Sequence, residues 1–210
     1  MRWWLAAAGG VVVATVGLAA CTGSAPSVEQ GWQVTVYYTA VESFHNRSDM
    51  VEVVGCRTLD CTQGEDPLGR YPRTFATAVK DEGTGRITEG PNAGRYLNWA
   101  SSEGYWLDDA PRDQAGRPLE PYRSAAADGV PDGTLVRLVD CGNGFDGGPP
   151  ADPPCTMLRD GQWEIRDAFT PGYGGDRHID LYIGEEDRPD FTRSAHFTTF
   201  EGATLEMSPP

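Results

Sequence analysis

Short segments in which apolar and polar residues alternate recur along the chain, and they restrict the fold more than any other feature of the sequence. In His178–Ile183 every second residue is Ile or Leu, while His178, Asp180 and Tyr182 occupy the other positions. Trp32–Thr39 alternates in the same way. A period of two is that of a β-strand with one buried face, so both segments are predicted to be half-buried strands.

The rest of the chain continues this pattern. Further strands are predicted at 51–54, 134–139, 162–166, 195–200 and 203–207. Only Thr74–Lys80, with its Phe75–Val79 spacing, predicts a helix. The turn-rich stretch Asp81–Pro121 belongs to a long, loop-rich insertion predicted at about 55–121. Many short strands separated by turns predict one all-β barrel domain over 32–210.

The charge balance excludes whole classes of partner. Acidic residues number 31 and Lys plus Arg 17, for a formal net charge of −14. Nucleic acid is not expected as a partner, because phosphate binding needs a basic surface. A basic stripe for anionic lipid is also missing from the sequence.

The N-terminus has the features of an export signal. Arg2 precedes the uncharged run Leu5–Ala20, which is short for a membrane span but suits a signal-peptide core. The run ends in Leu18-Ala-Ala-Cys21, which resembles the bacterial lipobox, in which the Cys becomes lipid-modified. We predict a lipoprotein signal peptide over 1–20 and a flexible tether over 21–31. Ordinary cleavage or an uncleaved anchor are the alternatives.

Four cysteines are left once Cys21 is assigned to lipidation: Cys56, Cys61, Cys141 and Cys155. An even number in an exported protein favours two disulfides, with three possible connectivities. Proximity favours Cys56–Cys61 and Cys141–Cys155. A zinc site is the rival interpretation, but the sequence has no CxxC pair and its histidines are scattered, so no metal is expected.

Three aspartates stand in positions that need an explanation. Asp180 lies within a predicted strand, where Asp is disfavoured. Asp167 follows the 162–166 strand and begins a Gly-rich loop, and Asp128 follows three alanines and precedes a tight turn. Taken singly, each is explained by a salt bridge or by ordinary turn chemistry.

Their order and context resemble the three-aspartate (3D) domain. Arg-Ser-Ala-Ala-Ala-Asp128 followed by Pro-x-Gly-Thr resembles its first element, Asp167 with a Gly-rich loop its second, and Gly-Asp-Arg-His-Ile-Asp180-Leu-Tyr its third. The opening strand Val34–Thr39 also matches. The resemblance covers about a third of the chain that follows the signal. It is similar to the barrel of the membrane-bound lytic transglycosylase A family and implies a six-stranded double-psi β-barrel.

The resemblance also implies a reaction. Such enzymes cleave the β-1,4 bond between N-acetylmuramic acid and N-acetylglucosamine in peptidoglycan, leaving 1,6-anhydro ends. By matching position, Asp180 is the general acid/base, Asp167 its like-charged neighbour and Asp128 a supporting or sugar-orienting residue. Tyr38, Trp99, Trp106 and Tyr182 are candidate sugar-stacking residues, although packing in the core explains each equally well. A monomer without cofactor is expected, lipid-anchored to the outer face of the bacterial cell membrane.

The sequence departs from the family pattern around the second aspartate. The family's Asp-Thr-Gly-Gly is here Asp167-Ala-Phe-Thr-Pro-Gly, and the spacing from Asp167 to Asp180 is about two residues longer than usual. Two other functions therefore stay open at this point. One is a non-catalytic envelope lipoprotein that binds glycan or protein, and the other is a structural lipoprotein whose aspartates only tie loops.

Overall fold

The computed structural model describes residues 25–210. The signal segment and the lipidation candidate Cys21 lie outside the described residues. In chain order the strands are β1 Ser27–Val41, β2 Met50–Gly55, β3 Asp66–Pro72, β4 Thr84–Arg86, β5 Tyr96–Ala100, β6 Gly104–Asp108, β7 Ser124–Ala127, β8 Leu135–Asp140, β9 Asn143–Gly144, β10 Trp163–Asp167, β11 His178–Glu185 and β12 Phe200–Ser208. The α-helices are α1 Arg73–Glu82 and α2 Pro154–Asp160.

Six of these strands close into a barrel. The ring runs β1-β11-β7-β10-β8-β12 and returns to β1. The pairs β1–β11 and β7–β10 are parallel, and the other four are antiparallel. The prediction of an all-β chain built on a six-stranded barrel is confirmed.

The predicted alternation fills the interior of this barrel. Ile179 and Leu181 of β11 are buried, as are Val34 of β1 and Leu205 of β12. Each such side chain contributes about 1.5–3 kcal/mol when fully removed from water. The apolar face of β11 is thereby committed to the core, and its polar face must point away from it.

The insertion is more ordered than the loop-rich segment predicted at 55–121. Its strands β4, β5 and β6 extend the sheet from the end of β1, where Ala40 pairs with Gly85. Helix α1 packs on these strands, and the predicted Phe75–Val79 face is buried. Gly85 permits the close approach, because a Cβ there would lie 2.4 Å from Val79.

Other local predictions differ from the structure. Residues 195–199 form a loop after a 3₁₀ turn, and the last strand begins only at Phe200, so the strand predicted at 195–200 is wrong. β1 begins at Ser27, inside the predicted tether, because β12 extends to pair with it as far as Met207. Helix α2 was not predicted, since its segment begins in a proline-rich run.

Both predicted disulfides are present. Cys56 is bonded to Cys61 and Cys141 to Cys155, with Cα–Cα distances of 5.6 and 6.0 Å. The second bond joins the end of β8 to α2 across the Gly- and Pro-rich loop. Closing a loop of about this length contributes roughly 3 kcal/mol.

Within residues 25–210, none of the helices has the length and apolar character needed to cross a membrane.

Candidate active site

An open pocket of about 370 Å³ lies where the barrel meets the insertion. The barrel contributes Tyr37, Asp167 and Asp180 to its wall, and the insertion contributes Glu82 and Trp99. The volume is within the range of small-ligand sites, about 300–1,000 Å³. Two carboxyl groups that the sequence singled out therefore share one cavity.

The pairing of β7 explains why they do. Ala126 of β7 is in register with Asp180 on β11 and with Asp167 on β10. Side chains in register on neighbouring strands point to the same face, so both carboxyl groups project on the side of Ala126. Ala126 itself lines the pocket, whereas Ala125 and Ala127 belong to the core. The small methyl group leaves the space between the two acids open.

Asp180 sits in an environment that favours its protonated form. Burial is the main cause, and the nearby charge of Asp167 adds to it, so that the pKa of Asp180 rises from 3.8 to about 7. The Thr35 hydroxyl, 2.7 Å from Oδ1, opposes this shift in part. A carboxyl group with this pKa can both donate and accept a proton near neutral pH.

Asp167 differs from Asp180 in its hydrogen bonds. Its Oδ1 accepts the N–H groups of Ala168 at 2.9 Å and Gln114 at 3.4 Å, and Tyr37 donates to Oδ2 at 3.3 Å. Burial still raises the pKa of Asp167, to about 6, against these bonds to its ionised form. At pH 7 Asp167 is thus the more ionised member of the pair.

Asp128 does not reach the pocket. It is exposed, and its Oδ2 accepts the N–H of Gly175 at 3.2 Å. A Cβ on Gly174 would lie 2.0 Å from the same carboxylate, so Asp128 lies tight against the loop that connects β10 to β11. Its position is that of a residue that holds a loop, and its carboxylate lies outside the pocket in which a sugar would be oriented.

Of the four candidate stacking residues, only Trp99 lines the pocket. Tyr38, Trp106 and Tyr182 are buried, with 3%, 1% and 1% of their surface exposed. Their rings have no exposed face on which a sugar could stack, so these three residues are not sugar-stacking residues in this structure. Trp99 is half-buried, and the Lys80 ammonium lies 5.6 Å from its ring centroid.

Glu82 is a pocket residue that the sequence analysis missed. It is the last residue of α1, and its Oε2 accepts the Tyr38 N–H at 3.3 Å. Burial first, and then the charge of Asp180, raise the pKa of Glu82 well above its ordinary value. The nearest signal in the sequence is the run Lys80-Asp81-Glu82, which contains the only lysine of the chain and begins at the last residue of the single predicted helix.

Among the residues that the structure describes, no group of three His, Cys, Asp or Glu side chains could hold a metal ion.

The fold is shared with known lytic transglycosylases. E. coli MltA with bound chitohexaose superposes with a TM-score of 0.52 at 13% identity, over 85% of this chain and 72% of that one. The membrane-bound lytic murein transglycosylase of Agrobacterium tumefaciens superposes with a TM-score of 0.50 at 11% identity, over 85% of this chain and 74% of that one. No protein-family model and no curated protein matches the sequence. The expected resemblance in fold is confirmed.

Proposed function

We propose that this protein is a cell-envelope lytic transglycosylase that cleaves the bond between N-acetylmuramic acid and N-acetylglucosamine, with Asp180 as its general acid and base. The observation that carries the proposal is a carboxyl group with a pKa of about 7 in an open pocket of a barrel with this fold. Chitohexaose, the sugar chain bound to E. coli MltA, has the same kind of β-1,4 backbone.

The reaction needs one group that gives a proton and then takes one. Asp180 donates its proton to the glycosidic oxygen as the bond from that oxygen to C1 breaks. The C6 hydroxyl of the same sugar then attacks C1, and its proton passes to the Asp180 carboxylate. Asp180 ends in its starting form and no water is consumed, so the flanking pair of catalytic carboxyl groups of an ordinary glycosidase is not required.

Asp167 serves this cycle by its charge. Because it is mostly ionised at pH 7, it keeps the proton on Asp180 before the reaction. The same negative charge stabilises the positive character that C1 gains as the bond breaks. The two acids titrate as a coupled pair, so the pH profile belongs to both of them.

The insertion supplies the wall against which a sugar would lie. Trp99 offers part of an indole face, on which the apolar face of a pyranose can pack. Lipidation of Cys21 would hold the barrel at the outer face of the membrane, close to peptidoglycan.

Incubation of the protein with purified, peptide-free glycan strands, followed by mass spectrometry for 1,6-anhydro ends, tests the proposal. Asp180→Asn should reduce product formation at least about a hundredfold, because the amide keeps the shape but transfers no proton. Asp60→Asn, the same change at an exposed turn outside the pocket, is the matched control. Wild-type protein that binds the strands but releases no anhydro ends would instead establish a non-catalytic glycan-binding protein.

A further inference from the structure

A hydroxyl group lies between Asp180 and a histidine that the mechanism above does not use. Thr35 of β1 is in register with Asp180 of the parallel strand β11. Its Oγ1 is 2.7 Å from Asp180 Oδ1 and 2.9 Å from His178 Nε2. The three side chains form a continuous row along the polar face of the β1–β11 pair.

The other contacts of His178 define how its ring can hydrogen-bond. The main chain of Tyr173 lies near the ring and favours a proton on it, and the ring packs on Phe169 with centroids 4.4 Å apart. Because Nε2 faces Thr35, the proton that the Tyr173 main chain favours is assigned to the other ring nitrogen, Nδ1. Burial lowers the pKa of His178, so the ring is neutral at neutral pH. With its proton on Nδ1, a neutral ring presents Nε2 as an acceptor.

One hydroxyl proton cannot serve two acceptors at once. When Asp180 is ionised, Thr35 donates to the carboxylate, and Nε2 receives no hydrogen bond from it. When Asp180 is protonated on Oδ1, it donates to the Thr35 oxygen, and Thr35 is free to donate to Nε2. The protonated form of Asp180 is therefore the one that satisfies all three side chains.

We propose that His178 is a positioning residue that acts on Asp180 through Thr35. When Asp180 carries its proton, it donates to the Thr35 hydroxyl, and His178 accepts the hydrogen bond that this hydroxyl then donates. This inference rests on the function proposed above. When the glycosidic oxygen takes the proton of Asp180, the Thr35 hydroxyl turns to donate to the new carboxylate. The same hydroxyl proton thus stabilises the acid form and the base form in turn, and it stays on Thr35 throughout.

Other charges also face this row. Asp167 of β10 acts on Asp180, and Asp180 in turn acts on Glu82 of α1. Asp128 and Glu201 act on His178. These charged groups are unchanged in the variants below, so a change in the pKa of Asp180 in those variants is attributed to the hydrogen-bonded row and not to these charges.

Two substitutions should move the pKa of Asp180 in opposite directions. His178→Phe keeps an aromatic ring against Phe169 but removes the acceptor, so Thr35 donates only to the carboxylate and the pKa falls. Thr35→Val removes the donor to the carboxylate, so the pKa rises. One hydrogen bond of this kind corresponds to a shift of about half to one pH unit. His178→Gln and Thr35→Ser, which keep an acceptor and a hydroxyl, should stay close to wild type.

The test is carbon-13 NMR titration of the Asp180 carboxyl without substrate, assigned by its loss in Asp180→Asn. His196→Phe and Thr204→Val provide matched changes outside the row, and circular dichroism establishes folding of each variant. Opposite shifts with recovery in the two conservative variants support the proposal. Unchanged pKa values, or shifts in the same direction, overturn it.

The pH profile of anhydro-product release is the second measurement, and its alkaline limb should follow the carboxyl titration. If the pKa of Asp180 shifts in opposite directions in His178→Phe and Thr35→Val but the protein releases no anhydro ends, the positioning role is supported and the proposed function is refuted. If the protein releases anhydro ends but the pKa of Asp180 is the same in His178→Phe as in wild type, the proposed function is supported and the positioning role of His178 is refuted.

Discussion

Replacing Asp167 by Asn tests the electrostatic basis of the site, because it removes a charge and keeps a side chain of the same shape. Asp167 and Asp180 are both in register with Ala126, so their Cα atoms are separated by two strand spacings, about 9–10 Å. At an effective dielectric constant of about 20, one full charge at that distance changes the free energy of ionisation of Asp180 by about 1.7 kcal/mol. This corresponds to about one pKa unit.

Asp167 raises the pKa of Asp180, so its removal should lower that pKa from about 7 to about 6. General acid catalysis needs protonated Asp180, and the alkaline limb of the rate should therefore move down by about one pH unit. At pH 8 anhydro-product release should fall at least about tenfold relative to wild type, because the charge that stabilises C1 is lost as well. At pH 5, where Asp167 is mostly protonated, release should change little.

The assay is mass-spectrometric counting of anhydro ends between pH 5 and 9 at constant ionic strength, with Asp60→Asn as the matched control. A uniform loss of rate at every pH would mean that Asp167 acts by contact with the sugar. An alkaline limb that stays in place, or moves to higher pH, would refute the electrostatic reasoning.

Three further predictions concern stability, access and anchoring. Burial raises the folded-state pKa of Asp180 above its unfolded value, so the contribution of Asp180 to stability is lost as the pH rises from about 4 to 7. The unfolding free energy of Asp180→Asn minus that of wild type, measured with urea, should therefore be about 2–4 kcal/mol larger at pH 8 than at pH 4. An equal difference at both pH values would contradict the burial of this carboxyl group. Ala126→Leu fills the space between the two acids, so glycan binding measured by calorimetry should weaken at least about tenfold while the circular dichroism spectrum stays native. The control Ala195→Leu, at an exposed loop position, should bind glycan as wild type does. Cys21→Ala should prevent lipidation and shift the protein out of the membrane fraction, and native protein whose N-terminal peptide carries no lipid would exclude the lipoprotein assignment.

Period and spacing predicted those parts of the fold that are decided by local sequence. The alternation in β11 follows from the burial of Ile179 and Leu181, and the helix at α1 follows from its buried Phe75–Val79 face. The strand predicted at 195–200 is wrong before Phe200, because a tertiary contact, and not pairing in a sheet, holds the aromatic ring of this segment. Phe197 packs edge-on against Tyr38 from a loop.

In the candidate site, too, the residues covered by a local sequence motif were predicted, and those placed by tertiary contacts were not. The resemblance to the 3D domain implied that Asp180 and Asp167 are neighbours, and both are in register with Ala126 in the structure. Tyr182, two residues after Asp180 on the same face of β11, was predicted to meet sugar. The sequence does not show that Leu119 of the insertion covers this part of the face and forms a cluster there with Tyr182 and Tyr37. Glu82 was missed for the same reason, because the return of α1 to the barrel is a tertiary event.

The insertion accordingly determines the chemistry as well as the shape of the pocket. Burial is the largest cause of the raised pKa of both Asp167 and Asp180. The open side of the barrel at these residues faces the end of α1, Trp99 and the segment containing Gln114, whose N–H also binds Asp167. A barrel without this cover would leave both acids in water, where an Asp ionises near its ordinary pKa of about 3.9 and holds no proton at pH 7. The barrel strands therefore set the spacing of the two acids, and the insertion supplies the burial that the role proposed for Asp180 requires.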